Sequence, residues 1–281
     1  MAKLQKDQFV IACLEHEADA RVVLPMARHC AAQLGKGIIV LNVSADGKSD
    51  WIKQYGLPFV GLKGDWKTAV DGLPTAFGGV LAITAVDNAA PRLSIKHPST
   101  LLRTFADCKI AYLAVRAESG PKDAIPQAED TTPDYQAWPR ATFLTLDHRR
   151  ESKEKLIWAS YMVRFFGSRL TVATPEYKDA GFRERLRNNL LFTQKMYRSL
   201  GVDYRTAPIQ ASNIKSPDIT LSETATLQTA DSALLIAMTT DRRDRDLGDL
   251  VAGLAELRLL KRCPVPTLFL NQRDDIYVLC D

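Results

Sequence analysis

Runs of apolar residues alternate along the chain with segments of helical periodicity, and the same order occurs twice. The first run reads FVIACLEH at 9–16, and its counterpart reads ATFLTLDH at 141–148. Each run ends in Leu, an acid and His, and a segment with apolar residues three and four positions apart follows, as is typical of a helix with one buried face. The chain therefore contains an internal repeat.

The first helical segment of each copy ends at a glycine. Its buried face is predicted to consist of Val23, Ala27, Cys30, Ala31 and Leu34 in the first copy, and of Leu156, Ala159, Met162, Val163 and Phe166 in the second. Gly35 and Gly167 follow these faces. Glycine adopts the left-handed backbone conformation at little cost, so both are predicted C-caps. Trp158 is expected to lie in the core of the second copy.

Further apolar runs complete each copy. They read IIVLNV from Ile38, GVLAIT at 79–84 and IAYLAV at 110–115, and their counterparts read LTVAT from Leu170, ALLIAM at 233–238 and PTLFLN at 266–271. Continuous apolar runs that alternate with helices are typical of parallel strands covered on both faces and joined by right-handed crossovers. The sequence predicts an α/β protein of two tandem doubly wound, Rossmann-like domains.

The two copies differ in length. A long amphipathic helix is predicted at 182–201, where the first copy has only a short stretch around 50–56. Residues 117–138 are rich in Pro, acids and small polar residues and lack periodicity, which is linker chemistry. We therefore predict a first domain at 1–116, a linker at 117–138 and a second domain at 139–281.

Composition and charge narrow the classes of function. Hydrophobic residues make up 46% and charged residues 25%, which is ordinary for a globular protein. The net charge of +4 arises from 37 basic and 33 acidic residues, so no strong field favours nucleic acid. The five cysteines form no CxxC pair, and no apolar stretch is long enough to span a membrane. We expect a cytoplasmic protein with reduced thiols and no nucleic-acid or membrane partner.

Two segments of the second copy carry a family resemblance. DHRRESKEKLIWA at 147–159 resembles the opening of universal stress proteins, where an aspartate after the first strand precedes a polar turn and a helix reaching a Trp-Ala pair. LAELRLLKRCPVPTLFLN at 254–271 resembles their closing helix, Cys-Pro and last strand. The first copy matches chiefly through the repeat. The resemblance implies a tandem universal-stress-protein-like chain of the Rossmann-like fold.

The resemblance also implies where nucleotide would bind. In the nucleotide-binding branch of the family, a loop Gly-x2-Gly-x9-Gly-Ser/Thr after the fourth strand cradles phosphates, because the backbone must approach closely. Here Thr239 stands at the first glycine position and Arg242 near the second, and in the first copy Thr84 stands at the first. Neither loop keeps the glycines, so degenerate sites and no cofactor, ATP and AMP included, are expected.

An acid follows the first strand of each copy, and two interpretations of it stay open. Asp147 stands where the family's adenosine-contacting aspartate lies, and Glu15 takes its place in the first copy. Such an acid either caps the following helix or contacts a ligand at the strand edge. With Thr239, Arg242 and Thr84, these acids form the candidate ligand pocket. Arg242 lies in a loop of alternating Arg and Asp, which either holds a phosphate or is simply solvated.

No catalytic or metal site is predicted. His16 and His148 share a repeat position but have no recognisable catalytic partner, and the cysteines lack metal-ligand spacing. The favoured hypothesis is a non-enzymatic stress-response regulator that binds an unknown protein, with its two domains paired through their last strands and homodimers able to form. The alternative is a nucleotide or small-molecule binder with a non-standard loop. An enzyme of a related nucleotide-using superfamily ranks last, because its loop motifs are missing.

Overall fold

The computed structural model describes residues 8–44, 50–76, 78–117, 138–210, 216–229, 232–239 and 254–271, without the side chains of Arg150 and Glu151. The predicted linker, apart from its two end residues, lies outside these ranges. The chain divides into two compact units, Met1–Gln136 and Ala137–Asp281. Each unit is described by itself below.

The described residues of the first unit contain five strands that form a parallel sheet. They are β1 (Phe9–Cys13), β2 (Gly37–Ser44), β3 (Phe59–Lys63), β4 (Gly79–Val86) and β5 (Ala111–Arg116). Their spatial order is β3-β2-β1-β4-β5, and all four pairings are parallel. The order reverses between β1 and β4, which makes this a doubly wound sheet with its topological switch point at those two strands.

Four α-helices are described in the connections between these strands. They are α1 (Ala20–Leu34), α2 (Trp66–Asp71), α3 (Leu73–Ala76) and α4 (Pro98–Phe105). Between β2 and β3 the described chain forms only a short 3-10 helix, Asp50–Tyr55. Asp65 begins α2 as its N-cap, because its carboxylate accepts the backbone N–H of Thr68 at 3.0 Å.

The second unit repeats the topology. Its strands are β6 (Ala141–Thr145), β7 (Arg169–Glu176), β8 (Tyr204–Gln210), β9 (Ala233–Met238) and β10 (Thr267–Leu270). They pair in parallel in the order β8-β7-β6-β9-β10, so the switch point lies between β6 and β9. The repeat inferred from the sequence is thus confirmed as a repeat of sheet topology.

The helices described in the second unit include one long addition. They are α5 (Glu154–Phe166), α6 (Ala180–Leu200), α7 (Pro217–Ser222), α8 (Ala225–Gln228) and α9 (Ala255–Arg262). The helix α6 lies between β7 and β8, whereas the described residues of the corresponding connection in the first unit form only the 3-10 helix. Asp179 caps its start by accepting the backbone N–H of Phe182 at 2.8 Å. The predicted helix at 182–201 is confirmed.

The predicted C-cap glycines both adopt the left-handed conformation. Gly35 ends α1 with φ +62°, and Gly167 ends α5 with φ +67°. In each case the glycine N–H donates to a carbonyl of the preceding turn. A side chain at either position would meet no atom within 4 Å, so the requirement for glycine comes from the backbone alone.

The core of each unit consists of its strands and the inner faces of its helices. Every residue of β9 is buried, as expected for a central parallel strand. Two features differ from the sequence-based predictions. The edge strands β3 and β8 were missed, because their half-exposed side chains do not form continuous apolar runs. Trp158 is only half-buried, so its predicted place in the core is wrong.

Among the residues that the structure describes, no helix has the length and hydropathy needed to cross a membrane.

Candidate functional site

The candidate sites lie at the switch points of the two sheets. In an open α/β sheet, the crevice outside the carboxyl ends of the strands is widest where the strand order reverses, and ligands bind there. In the first unit this crevice lies beyond β1 and β4, and in the second unit beyond β6 and β9. Glu15 and Asp147, the acids that follow β1 and β6, therefore lie at the predicted edge.

In the first unit, the chain itself spans the crevice. The Ser94 hydroxyl, from the loop after β4, donates a short hydrogen bond to the Glu15 carboxylate. Ser94 and its neighbour Ile95 are buried, so the middle of this loop points inward. A ligand at the switch point would have to displace Ser94 from Glu15.

A second pair closes the same crevice. The Lys96 ammonium lies 2.9 Å from one carboxylate oxygen of Asp19, and both side chains are largely buried. The other oxygen of Asp19 accepts the backbone N–H groups of Glu15 at 3.1 Å and of His16 at 2.8 Å. These two backbone donors, which could bind an anion, are therefore already occupied by a carboxylate. Glu15 does not cap the helix; Asp19 accepts those backbone hydrogen bonds instead.

The loop after β4 lacks the backbone that a phosphate cradle needs. No glycine occurs between Gly79 and Gly120, so every residue of this loop carries a Cβ. The loop closes on itself where the Asp87 N–H donates to the Lys96 carbonyl at 3.0 Å. Thr84 lies inside β4 and is fully buried, so its side chain stands within the sheet rather than in the loop.

In the second unit, Asp147 is almost fully buried and has several donors. One oxygen accepts the Arg149 backbone N–H at 2.9 Å and the Ser152 hydroxyl. The other accepts from the Arg149 guanidinium, with Nε at 2.8 Å and a terminal nitrogen at 2.7 Å. Both oxygens are therefore engaged by the chain's own groups, and Arg149 would have to swing away before a ribose could replace it.

Burial and charge act in opposite directions on Asp147. Burial alone favours the neutral acid, but the nearby cations of Arg149 and Lys155 and the hydrogen bonds from Arg149 and Ser152 outweigh it. Together they lower the pKa of Asp147 to about 2. The carboxylate is therefore ionised at neutral pH, with its charge balanced inside the protein.

Below Asp147 lies a buried ion pair that the sequence did not reveal. The Lys155 ammonium is fully buried and lies 3.2 Å from the Asp218 carboxylate and 2.8 Å from the Thr145 hydroxyl. Thr145 in turn donates to Asp218. The cluster ties the end of β6 to α5 and to the first turn of α7, and every charge in it has a partner.

The N-terminal half of α6 contacts the turn that contains Asp147. The side-chain amide of Asn189 donates to the backbone carbonyls of Asp147 at 2.8 Å and of Arg149 at 3.0 Å. The His148 ring stacks on Phe182 at a centroid distance of 4.1 Å and meets Tyr177 edge-on at 5.1 Å. The turn is therefore held rigidly under α6.

The two histidines at the shared repeat position differ in environment. The Nδ1 atom of His148 is buried without a hydrogen-bond partner. Burial is the main reason that its pKa is lowered, with the charges of Arg149 and Arg185 acting in the same direction. His16 is exposed and lies 4.0 Å from Glu15. They do not form equivalent sites.

The remaining predicted pocket residues are only partly placed. The Thr239 hydroxyl, just after β9, donates to the Asn271 side chain at 2.6 Å, which ties the ends of β9 and β10 together. Arg242 and the rest of its charged loop lie outside the described residues. The described part of the chain holds no cluster of His, Cys, Asp and Glu suited to a metal ion. Burial raises the pKa of Cys30 to about 12, which makes it a poor nucleophile.

The second unit also contains a cavity of about 380 Å³ away from these predicted residues. It is lined by α7, α8 and α9, through Ile219, Ser222, Glu223, Gln228, Arg258 and Arg262. None of the predicted site residues lines it.

The partners of the candidate acids were missed by sequence reasoning. Ser94 and Lys96 lie far along the chain from Glu15 and Asp19, and no local pattern joins them. Asp218 is equally distant from Lys155. A usable signal was present in one case only, since the spacing Asp147, Arg149 and Ser152 places two donors within reach of the acid in a tight turn.

The fold defines the class of protein: two α/β units, each with a parallel doubly wound sheet and a crevice at its switch point, where ligands bind in such sheets. No family model matches the chain, and no curated protein matches it in sequence. Solved structures do match over nearly its whole length. A universal stress protein from Archaeoglobus fulgidus DSM 4304 superposes with a TM-score of 0.62 at 10% identity, covering 96% of this chain and 100% of that one.

A second structural match comes from a functionally unknown protein of Pseudomonas aeruginosa PAO1. It has a TM-score of 0.59 at 15% identity and covers 98% of this chain and 96% of the other. At such identities the likeness concerns the fold alone. The predicted resemblance to universal stress proteins is confirmed at that level: the chain has their Rossmann-like fold, in tandem.

Proposed function

We propose that this protein is a tandem universal-stress-protein-like regulator that acts through protein contacts in the cytoplasm and binds no nucleotide in either unit. One observation carries the proposal: the strand-edge groups that would meet a ligand are occupied by the chain's own side chains. Ser94 and Lys96 fill this role in the first unit, and Arg149 and Ser152 fill it in the second.

Electrostatics support the same proposal. In the first unit, two carboxylates, Glu15 and Asp19, face one cation, Lys96, at the crevice. A nucleotide phosphate there would meet net negative charge, and the backbone N–H groups of Glu15 and His16 are already bound by Asp19. A ligand that displaced these buried partners would add little net binding free energy. Each hydrogen bond that it made would replace one already made within the protein.

The test is a calorimetric and thermal-shift titration of the intact chain with ATP, ADP and AMP, with and without Mg²⁺. A ligand that binds only the folded state stabilises by about 2.7 kcal/mol at a hundredfold excess over its dissociation constant. We expect no shift and no ATP hydrolysis. A clear shift would overturn the proposal and support the alternative binder, for which Asp147 and Arg242 are the residues to mutate.

A variant makes this titration sharper. Arg149→Ala removes the guanidinium from Asp147 but leaves Ser152 and the backbone donor in place. If the wild type binds no nucleotide and this variant gains affinity, the closure by Arg149 is what excludes the ligand. Ser94→Ala, which removes the hydroxyl from Glu15 and keeps Lys96, serves as the counterpart in the first unit. The proposed homodimer is tested separately, by sedimentation of the intact chain.

A further inference from the structure

The outward surface of α5 and α6 is unusual within this chain. The structure describes five large apolar side chains that are exposed, and four of them lie on these two helices: Ile157, Phe165, Leu191 and Leu200. The fifth is Leu93, in the loop after β4. Exposed apolar residues gathered on one side of a molecule mark interaction surfaces.

The two helices are direct neighbours. The Tyr197 hydroxyl of α6 donates to the Leu156 carbonyl of α5 at 3.0 Å. The ammonium of Lys153, which precedes α5, lies 4.8 Å from the centre of the Phe192 ring of α6. The two helices therefore lie side by side in the second unit.

On α5 the outward side carries a row of aromatic rings, of which Trp158 and Tyr161 are half-buried and Phe165 is exposed. Trp158 and Tyr161 meet with their ring centroids 5.7 Å apart, and Tyr161 and Phe165 meet at 5.8 Å. Phe165 is 44% exposed. Aromatic side chains that already support one another lose little conformational entropy on binding, which suits them as anchors of an interface.

On α6 the exposed stripe is basic around an apolar centre. Leu191 is 54% exposed, with Arg187 one turn before it and Lys195 one turn after it. The exposed ionised residues of the two helices are six cations and one acid: Arg164, Arg183, Arg185, Arg187, Lys195 and Arg198, against Glu184. This excess is local, since the whole chain is nearly balanced.

We propose that this surface, the α5–α6 face, binds an acidic amphipathic helix of a partner protein. Its apolar anchors are Ile157, Phe165 and Leu191, and its basic rim is Arg187, Lys195 and Arg198. Partner side chains of Leu or Phe would cover the anchors, while flanking Asp and Glu would pair with the rim. With 21 residues, α6 is about 30 Å long, which matches a partner helix of about twenty residues.

Charge decides among the other occupants. A second copy of this face would bring the basic rim of Arg187, Lys195 and Arg198 against an identical basic rim, which disfavours self-association here. A membrane-binding helix separates its apolar and charged faces, whereas Leu191 lies between cations on one face. Single-stranded nucleic acid is typically bound by aromatic rings presented for stacking, but the α5 rings contact one another, and aliphatic Leu191 offers no ring.

This inference rests on the proposed function, because it names the class of partner. The probe is a fluorescein-labelled helical peptide of about twenty residues, with Leu and Phe on one face and Glu beside them. A matched peptide has Lys in place of Glu. Fluorescence anisotropy is measured with the intact chain. We expect binding of the Glu peptide and at least about tenfold weaker binding of the Lys peptide.

Variants locate the binding. Arg187→Glu/Lys195→Glu/Arg198→Glu should weaken the Glu peptide about tenfold or more, and Leu191→Ser should weaken it several-fold, since all four side chains are exposed. The control Lys53→Glu/Lys63→Glu/Lys109→Glu makes the same charge change at exposed positions of the first unit and should leave the affinity unchanged. Circular dichroism checks that each variant is folded.

The opposing outcomes are equally definite. The proposal is wrong if the Glu peptide does not bind, or if both triple variants weaken it equally. It is also wrong if equimolar phosphatidylglycerol–phosphatidylcholine vesicles or a single-stranded RNA bind this face more tightly than the peptide does. Nucleotide binding at the crevices would instead overturn the proposed function while leaving the peptide result intact, so the two failures are distinguishable.

Discussion

The two units share a strand order but stabilise the end of the first strand in opposite ways. Counted from the shared histidine, Lys155 and Thr145 of the second unit correspond to Val23 and Cys13 of the first. The second unit therefore has a buried ion pair with Asp218 where the first has apolar side chains. The fold itself requires neither solution, since a parallel sheet and its helix pack around both.

The two crevices also differ in which part of the chain binds the acid at the strand end. The first unit closes its crevice with the loop after β4, through Ser94 and Lys96. The second holds its acid within one turn, through Arg149 and Ser152. Different residues thus bind the acid at the equivalent edge of each sheet.

The largest expected effect concerns the buried ion pair. Lys155→Met leaves the Asp218 carboxylate buried without its counter-ion and should destabilise the second unit by about 3–5 kcal/mol. Hydrogen exchange of the β6 and β9 amides measures this unit separately. Adding Asp218→Leu should recover most of the loss, as Val23 suggests. No recovery in the double variant would show that the pair has a role beyond charge compensation.

The next comparison concerns the first helix of each unit. Trp158 corresponds to Met26, which is buried, whereas Trp158 is half-buried. Met26→Ala should destabilise the first unit by about 2–5 kcal/mol, as for a buried methionine. Trp158→Ala should cost only about 1–2 kcal/mol, because part of the ring is already in water. Hydrogen exchange of the β1 and β6 amides at increasing denaturant concentration measures the stability lost in each unit. A larger loss for Trp158→Ala than for Met26→Ala would mean that another surface covers the exposed part of the Trp158 ring in solution.

Acid should affect the second unit through Asp147. Its pKa is lowered in the folded state to about 2, so its contribution is present above the unfolded pKa near 4 and is lost as pH falls from about 4 to 2. The contribution is at most about 2 kcal/mol, since Arg149 is half exposed. Urea unfolding at several pH values measures it. Asp147→Asn should remove this part of the pH dependence, and an unchanged slope would refute the assignment.

The smallest effects should be equal in the two units. Gly35→Ala and Gly167→Ala each place a Cβ in a left-handed cap with no atom within 4 Å. Each should cost about 1 kcal/mol from backbone conformation alone. Thermal unfolding of both variants provides the comparison. A much larger loss of stability in one variant would mean that the added methyl group clashes with neighbouring atoms there.

The local features of the fold could be predicted from the sequence. Continuous apolar runs predicted the central strands β1, β2, β4, β5 and their counterparts, because a strand buried on both faces must be apolar throughout. The sequence also predicted the caps at Gly35 and Gly167 and the helix at 182–201. Both features depend only on residues that are close together in the chain. The edge strands β3 and β8 carried no such signal.

Only the tertiary structure decided what the candidate acids do. The contacts of Glu15 with Ser94, of Asp19 with Lys96 and of Lys155 with Asp218 join residues on different elements, and a sequence pattern does not encode which loop reaches which strand end. The sequence by itself determined the duplicated α/β topology, because periodicity and burial are linked residue by residue. The tertiary structure decided that Glu15 and Asp147 are bound by the chain's own groups, because hydrogen bonds and ion pairs depend on distances that only folding creates.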